Sequence, residues 1–367
     1  MLEKTKTEKM IDKKVWWISN SKERNETRDK LLGEYALVIA KEKMEQLKII
    51  KEEYKSKGFM CFHYGEYLSY IPQYYRRDPK SFFKDMDEFI VGIEIENREY
   101  LEYFFNQVRY APAGIDIPYI VFSNTSLNLV PKEAEMIYFN EDNIYNELKK
   151  QFCNIDFISL ELLYFKRGII YLDKSEIDKF NNSICIDCGG FIGDTAIMFS
   201  QYNFSSIYSF EPEENNFNTM KKNIDNYADN KNIIPCNLGV GDKNETLYIN
   251  SNGSIDAGAT FLKTGRNESS TVNIVKLDDY FEDRKNRIGL IKLDIEGFEE
   301  NALIGAEQII RNDKPVLLVA GYHDWVAFGQ MFRIKKWIEN LNLGYKILFR
   351  PIGHQSILTW CFICYVE

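Results

Sequence analysis

The chain has 367 residues, of which 55 are acidic and 46 basic, for a formal net charge of −9. That balance argues against a dedicated nucleic-acid binder, which needs a basic face to displace counterions. With 45% hydrophobic residues it can build packed cores, and its length makes two domains the default expectation.

The opening MLEKTKTEKMIDKK is charged throughout and lacks the apolar core of a secretory signal. No stretch approaches the roughly 18 apolar residues of a membrane span. A cytoplasmic protein is expected. Seven cysteines, mostly inside strand-like runs, read as reduced, buried thiols. Cys185/Cys188 and Cys361/Cys364 each form a CxxC pair. Residues three apart on a strand point to opposite faces, so core packing is preferred over zinc.

Residues 1–165 read as a helical arm plus a small accessory α/β domain. The arm, to about Asn25, is polar apart from Trp16 and Trp17, which are expected to dock on the body. A long amphipathic helix follows over Glu26–Lys57, stopped by Gly58. Phe59–Tyr64, Glu88–Ile95 and Pro118–Phe122 read as strands. Glu66–Tyr75 and Arg98–Val108 between them read as helices, a βαβ-like alternation. Asn143–Phe152 and Phe157–Phe165 read as bridging helices. His63 is expected to be a packed strand-end histidine. The many Tyr and Phe here fill a core or offer a carbohydrate-stacking face.

Residues 166–367 alternate regularly. Ile184–Ile186 reads as a buried strand, Asp187 closes it, and Gly189, Gly190 and Gly193 form a turn into a helix from Asp194. The apolar strand Ile207–Phe210 ends on Glu211. Strand, glycine turn, helix and strand-end carboxylate is the grammar of a nucleoside-cofactor site. Gly189 and Gly190 carry no Cβ, so a ligand can lie against the backbone. Glu211 stands about 20 residues beyond the glycines, where an acid reaches ribose hydroxyls. Position 188 is Cys where a dinucleotide fingerprint has Gly. Asp187 and the turn amides suit the amino-acid end of S-adenosylmethionine instead.

Next come a helix over Pro212–Asn226, a third strand over Asn232–Val240, and short strands over Thr246–Asn250 and Thr271–Lys276. Leu290–Asp294 reads as the fourth core strand, Glu299–Arg311 as a helix and Val316–Tyr322 as the fifth strand. Phe328–Leu341 reads as a helix. Tyr345–Phe349 and Leu358–Val366 close the chain as an antiparallel pair. KLDIEGFE places Asp294 and Glu296 directly after a buried strand, at the rim where doubly wound sheets bind substrates. His323 ends the fifth strand on the same rim.

DCGGFIGDT, SFEP, KLDIEGFE and the late GYH, in that order, resemble the FkbM family of S-adenosylmethionine-dependent methyltransferases. The resemblance covers roughly Ser183–Glu367. It implies a Rossmann-like class I methyltransferase sheet, mostly parallel with an antiparallel last strand, and methyl transfer to hydroxyls of sugars, glycans or natural products. It also implies that Asp187, Gly189 and Gly193 line the methionine end, Glu211 the ribose, and Asn237 and Leu238 the adenine. Two positions depart from the family pattern: Gly190, where Ala is common, and Gly321, where an acid is common.

An alcohol nucleophile must lose its proton as the bond forms. His323 is the candidate base and Asp294 the runner-up. Asp294 and Glu296 holding Mg²⁺ is an alternative, and metal-free transfer is preferred. A nicotinamide-dependent oxidoreductase and a non-catalytic cofactor-binding protein are the competing readings. A homo-oligomer is compatible with the sequence.

Overall fold

The structure is a computed structural model; it describes residues 6–28, 30–31, 79–93, 160–226, 232–250, 269–323, 329–352 and 360–367. The chain divides into two compact units, Met1–Glu133 and Ala134–Glu367. No described helix is long and apolar enough to cross a membrane.

In the first unit, Lys6–Val15 is a helix. Ile11, Val15 and Ile18 are buried, at the spacing of one helical face. Trp16 and Trp17, expected to dock, are instead 73% and 69% exposed. The Trp17 indole donates to the Lys14 carbonyl at 2.8 Å, which holds the ring along its own helix. Asn20 caps the helical stretch 21–28, its side-chain oxygen accepting from the Lys22 and Glu23 amides.

The strand expected over Glu88–Ile95 is corrected: residues 88–90 end the helix Pro79–Ile90. Pro79 suits the first helical position, and Gly92, at φ 83°, follows the end. Phe89, Ile90 and Ile93 are buried at helical spacing, which a short apolar run does not distinguish from a strand. The expected strands 59–64 and 118–122, the helices 66–75, 98–108 and 143–152, His63 and most of the helix 26–57 lie outside the described residues.

The second unit contains a seven-stranded sheet. Its strands are β1 (Ile184–Cys188), β2 (Ser206–Phe210), β3 (Ile233–Cys236), β7 (Ile288–Leu293), β8 (Val316–Ala320), β9 (Lys346–Pro351) and β10 (Trp360–Tyr365). The order is β3-β2-β1-β7-β8-β10-β9. β1, β2, β3, β7 and β8 run parallel, and β10 pairs antiparallel with both β8 and β9. Every residue of β1, β7 and β8 is buried, as in a sheet covered on both faces. Chain order reverses between β1 and β7. That opens a crevice at the carboxyl ends of the strands, where α/β sheets bind ligands. The mostly parallel sheet with its antiparallel last strand is the expected one.

The run expected as a single third strand splits. β3 stays in the large sheet, while β4 (Gly239–Gly241) joins β5 (Glu245–Asn250) and β6 (Ser269–Lys276) in a second sheet ordered β4-β6-β5. Pro235 is tolerated because β3 is an edge strand. At the break, the Asn237 side chain donates to the Glu211 and Pro212 carbonyls at 3.0 and 3.3 Å.

The helix expected over Glu299–Arg311 is two, Glu299–Gly305 and Glu307–Asp313. A Cβ on Gly305 would lie 2.0 Å from the Gly241 carbonyl oxygen, so the first helix ends against β4. The Asp278 carboxylate caps the second by accepting from the Gln308 and Ile309 amides.

Candidate active site

The site begins inside the sheet. Asp187 on β1 and Lys292 on β7 are 0% and 1% exposed. The Lys292 ammonium donates to the Cys188 and Gly189 carbonyls at 3.1 and 2.7 Å. It meets Asp187 Oδ1 at 3.0 Å as an ion pair without hydrogen-bond alignment. The Ser209 hydroxyl donates to Asp187 Oδ2 at 2.7 Å. Asp187 thus lies beneath the turn and braces it.

Above it, the Gly189 and Gly190 amides both donate to the Phe210 carbonyl, at 3.0 and 2.8 Å. Gly189 has φ 82°, and a Cβ there would stand 1.9 Å from the Asp294 carbonyl oxygen. A Cβ on Gly190 would strike Ser209 Oγ at 2.3 Å. The missing side chains make room for the protein's own packing, and Gly189 also lines the cleft described below. Gly193, at φ 87°, starts the helix Asp194–Phe199.

Glu211 follows β2 and is 6% exposed. Its Oε1 accepts from the Glu213 amide and Oε2 from the Phe191 amide, both at 2.9 Å. Burial pushes its carboxyl up to about 7, while the two amides and Asn216 pull the other way.

After β7 the chain turns through Glu296, at φ 55°, and Gly297, at φ 101°. Glu299 organises this turn from a fully buried position. Its Oε1 accepts from the Ile295 amide at 2.9 Å and contacts His323 Nδ1 at 2.6 Å. Its Oε2 accepts from Gln330 Nε2 at 2.6 Å. His323 is 2% exposed, and its Nε2 faces Glu296 Oε1 at 3.4 Å and Asp294 Oδ1 at 3.7 Å. Burial disfavours the imidazolium, but Glu299, Glu296 and Asp294 outweigh it and hold the ring well above the usual histidine range.

Asp294 accepts from the Tyr322 hydroxyl at 2.6 Å on Oδ1 and pairs with Arg167 Nη1 at 3.0 Å on Oδ2. Burial opposes its ionisation. The charges of Arg167, Lys292 and His323 and the Tyr322 hydroxyl nonetheless hold its carboxyl well below the usual range. Burial and Asp294 keep the Tyr322 hydroxyl protonated.

These strand ends enclose a cleft of about 250 Å³. Of the residues singled out from sequence, Gly189, Glu211, Leu238, Asp294 and Glu296 line it together. Asp187, Gly193, Asn237 and His323 are not among its lining. They brace the turn, start the helix, tie the β3–β4 break and back the carboxylates. Arg167 and Tyr322 also line the cleft. Sequence reasoning passed over both, and also over Lys292 and Glu299. Among the described residues, no group of three His, Cys, Asp or Glu is placed to hold a metal. Asp294, half of the pair considered for Mg²⁺, already gives its two oxygens to Tyr322 and Arg167.

Residues 187–347 match the model of the methyltransferase FkbM domain. This stretch of the chain is an FkbM methyltransferase domain. It spans β1 to the start of β9 and carries every cleft-lining residue except Arg167.

Among solved structures, the methyltransferase FkbM from Methylobacillus flagellatus KT is similar at 19% identity. It covers 72% of this chain and 71% of its own, with a TM-score of 0.40. The O-methyltransferase from Bacillus cereus in complex with SAH is similar at 11% identity, covering 65% of this chain and 99% of its own with a TM-score of 0.37. A SAM-dependent methyltransferase from Aquifex aeolicus is similar at 14% identity, covering 60% of this chain and 96% of its own with a TM-score of 0.32. No curated protein matches the chain.

Proposed function

We propose that the chain transfers a methyl group from S-adenosylmethionine to a hydroxyl of a sugar, glycan or small natural product. The observation that carries this reading is one cleft in an FkbM methyltransferase domain, with Glu211 at the β2 end and Asp294 and Glu296 at the β7 end.

The cleft's residues fit this donor. Three carboxylates against one guanidinium favour a ligand of net positive charge, which the donor's sulfonium and ammonium provide. Glu211, held by two backbone amides, keeps lone pairs for a pair of ribose hydroxyls. Leu238 offers an apolar contact for the base, with Asn237 fixing the backbone beside it. Gly189 supplies the floor, and Asp187 and Gly193 hold the turn that carries it. When bound, the donor brings a methyl on a positive sulfur whose leaving group is a neutral thioether.

What remains for the protein is alignment and removal of the hydroxyl proton. Carboxylates at both ring nitrogens keep His323 protonated, so in this reading it positions those carboxylates and is not itself the base. Asp294 is a fixed negative charge and correspondingly a weak base. Glu296, whose side chain is 23% exposed on the cleft, receives the proton. Transfer is metal-free in this account; activity lost in EDTA and restored by Mg²⁺ would overturn that part.

The test is a screen of sugar, glycan and small-molecule hydroxyl acceptors with methyl-labelled donor. The expected result is label in a base-stable methyl ether, with turnover reduced at least roughly a hundredfold in Glu296→Gln. Label on nitrogen or carbon would contradict the hydroxyl assignment.

A further inference from the structure

Arg167 reaches the cleft from an unusual piece of backbone ahead of the FkbM domain. The 3-10 turn Lys166–Tyr171 contains three consecutive positive φ angles: 50° at Lys166, 55° at Arg167 and 107° at Gly168. Two of these are non-glycine residues in a conformation that L side chains seldom adopt. Such strain persists only where the surroundings over-determine it. Here they do, since a Cβ on Gly168 would stand 2.8 Å from Ile363 Cγ1 on β10. The turn is wedged against the sheet, and the Arg167 side chain is aimed at the crevice.

Two of its groups are fixed: Nε donates to Thr195 Oγ1 at 3.3 Å and Nη1 pairs with Asp294 at 3.0 Å. Nη2 meets no acceptor among the described residues. Arg167 is also the one cation among the described residues lining a cleft that holds Glu211, Asp294 and Glu296. A guanidinium held through Nε and Nη1, with Nη2 left over in a ligand cleft, is arranged to donate to a carboxylate.

We propose that Arg167 binds the carboxylate of the donor's amino-acid end. The donor site then includes a residue outside residues 187–347. This inference rests on the donor being S-adenosylmethionine. The charges agree: the cleft's one cation meets the ligand's one carboxylate, and the Asp294 carboxylate faces its positive groups. With Glu211 at the far end of the cleft, the ligand's ribose and carboxylate each meet a fixed partner.

The experiment titrates the full chain with two probes, S-adenosylhomocysteine and its decarboxylated analogue, which lacks only that carboxylate. Wild type is expected to prefer the intact compound by roughly 10- to 100-fold, the range for hydrogen bonds to charged groups. Arg167→Gln is expected to abolish the preference, bringing S-adenosylhomocysteine down to the analogue's affinity while the analogue binds as before. Equal affinity of wild type for the two probes would overturn the proposal, and this arm does not depend on the variant folding. So would a preference that survives in Arg167→Gln, or equal losses for both probes there. If wild type bound neither probe, the donor assignment itself would fall, a result distinct from loss of the carboxylate preference.

Discussion

Lys292 and Asp187 face each other at 3.0 Å on adjacent parallel strands, with side chains 2% and 0% exposed. The pair joins β1 to β7 at the point where the sheet's chain order reverses, directly under the turn that floors the cleft. A buried pair of this kind is weak evidence of net stability, but removing one member leaves an uncompensated charge. Lys292→Met is expected to destabilise the chain by about 3–5 kcal/mol in chemical denaturation. The double change Asp187→Asn with Lys292→Met is expected to recover most of that loss. Equal losses in the single and double variants would show that the charge is not the cause.

Gly189→Ala must fit a Cβ at φ 82° and 1.9 Å from the Asp294 carbonyl oxygen. The obstacle is backbone, which cannot swing aside as a long side chain can. A loss of about 2–4 kcal/mol is expected from the midpoint of urea unfolding. Wild-type stability in this variant would mean that β1 and β7 are not held as described.

The pH dependence of Glu211 has a definite sign. Its folded carboxyl is pushed up to about 7, above the ordinary glutamate value of about 4.5. Stability from Glu211 is therefore fully present below about 4.5 and is lost as pH rises through about 7. Glu211→Gln should flatten that decline by about 3 kcal/mol, measured as unfolding free energy across the window. Donor affinity should move oppositely, because a carboxylate accepts ribose hydroxyls better than a carboxylic acid does. Calorimetric titration with S-adenosylhomocysteine at about pH 6 and about pH 8 should find tighter binding at the higher value.

His323 should carry protons on both ring nitrogens throughout the neutral range, because three carboxylates face it. Nitrogen NMR of the imidazole checks this directly. Glu299→Gln should bring its titration down toward ordinary histidine values. At saturating donor, where the titration of Glu211 no longer limits binding, a pH–rate profile of methyl transfer should lack a limb in the usual histidine range. A limb there that His323→Gln removes would restore His323 as the base.

Much of this site was legible in the sequence, because period and punctuation reflect local physics. Continuous apolar runs marked the central strands, and the offset between the glycine turn and Glu211 is fixed by one strand–helix–strand unit. Asp294 and Glu296 fell on the rim because they directly follow a buried strand. A further signal was present and unused. Lys292 interrupts one apolar strand and Asp187 another, and two buried opposite charges on parallel strands call for each other.

What could not be read depends on contacts distant in sequence. In the sequence Glu299 only opens a helix, and the approach of His323 and Gln330 makes it the buried centre of a turn. Arg167 has no motif, and its role follows from β10 wedging its turn. The 88–95 run failed as a strand because a short apolar segment has too few residues to separate the two periods.

Everything proposed for the site depends on this cleft holding S-adenosylmethionine with its ribose on Glu211. The most direct test is a crystal structure of the full chain with S-adenosylhomocysteine. Both ribose hydroxyls are expected within hydrogen-bond distance of the Glu211 carboxylate, with the sulfur on the side of Asp294 and Glu296. The compound bound elsewhere, or an empty cleft at saturating ligand, would contradict it.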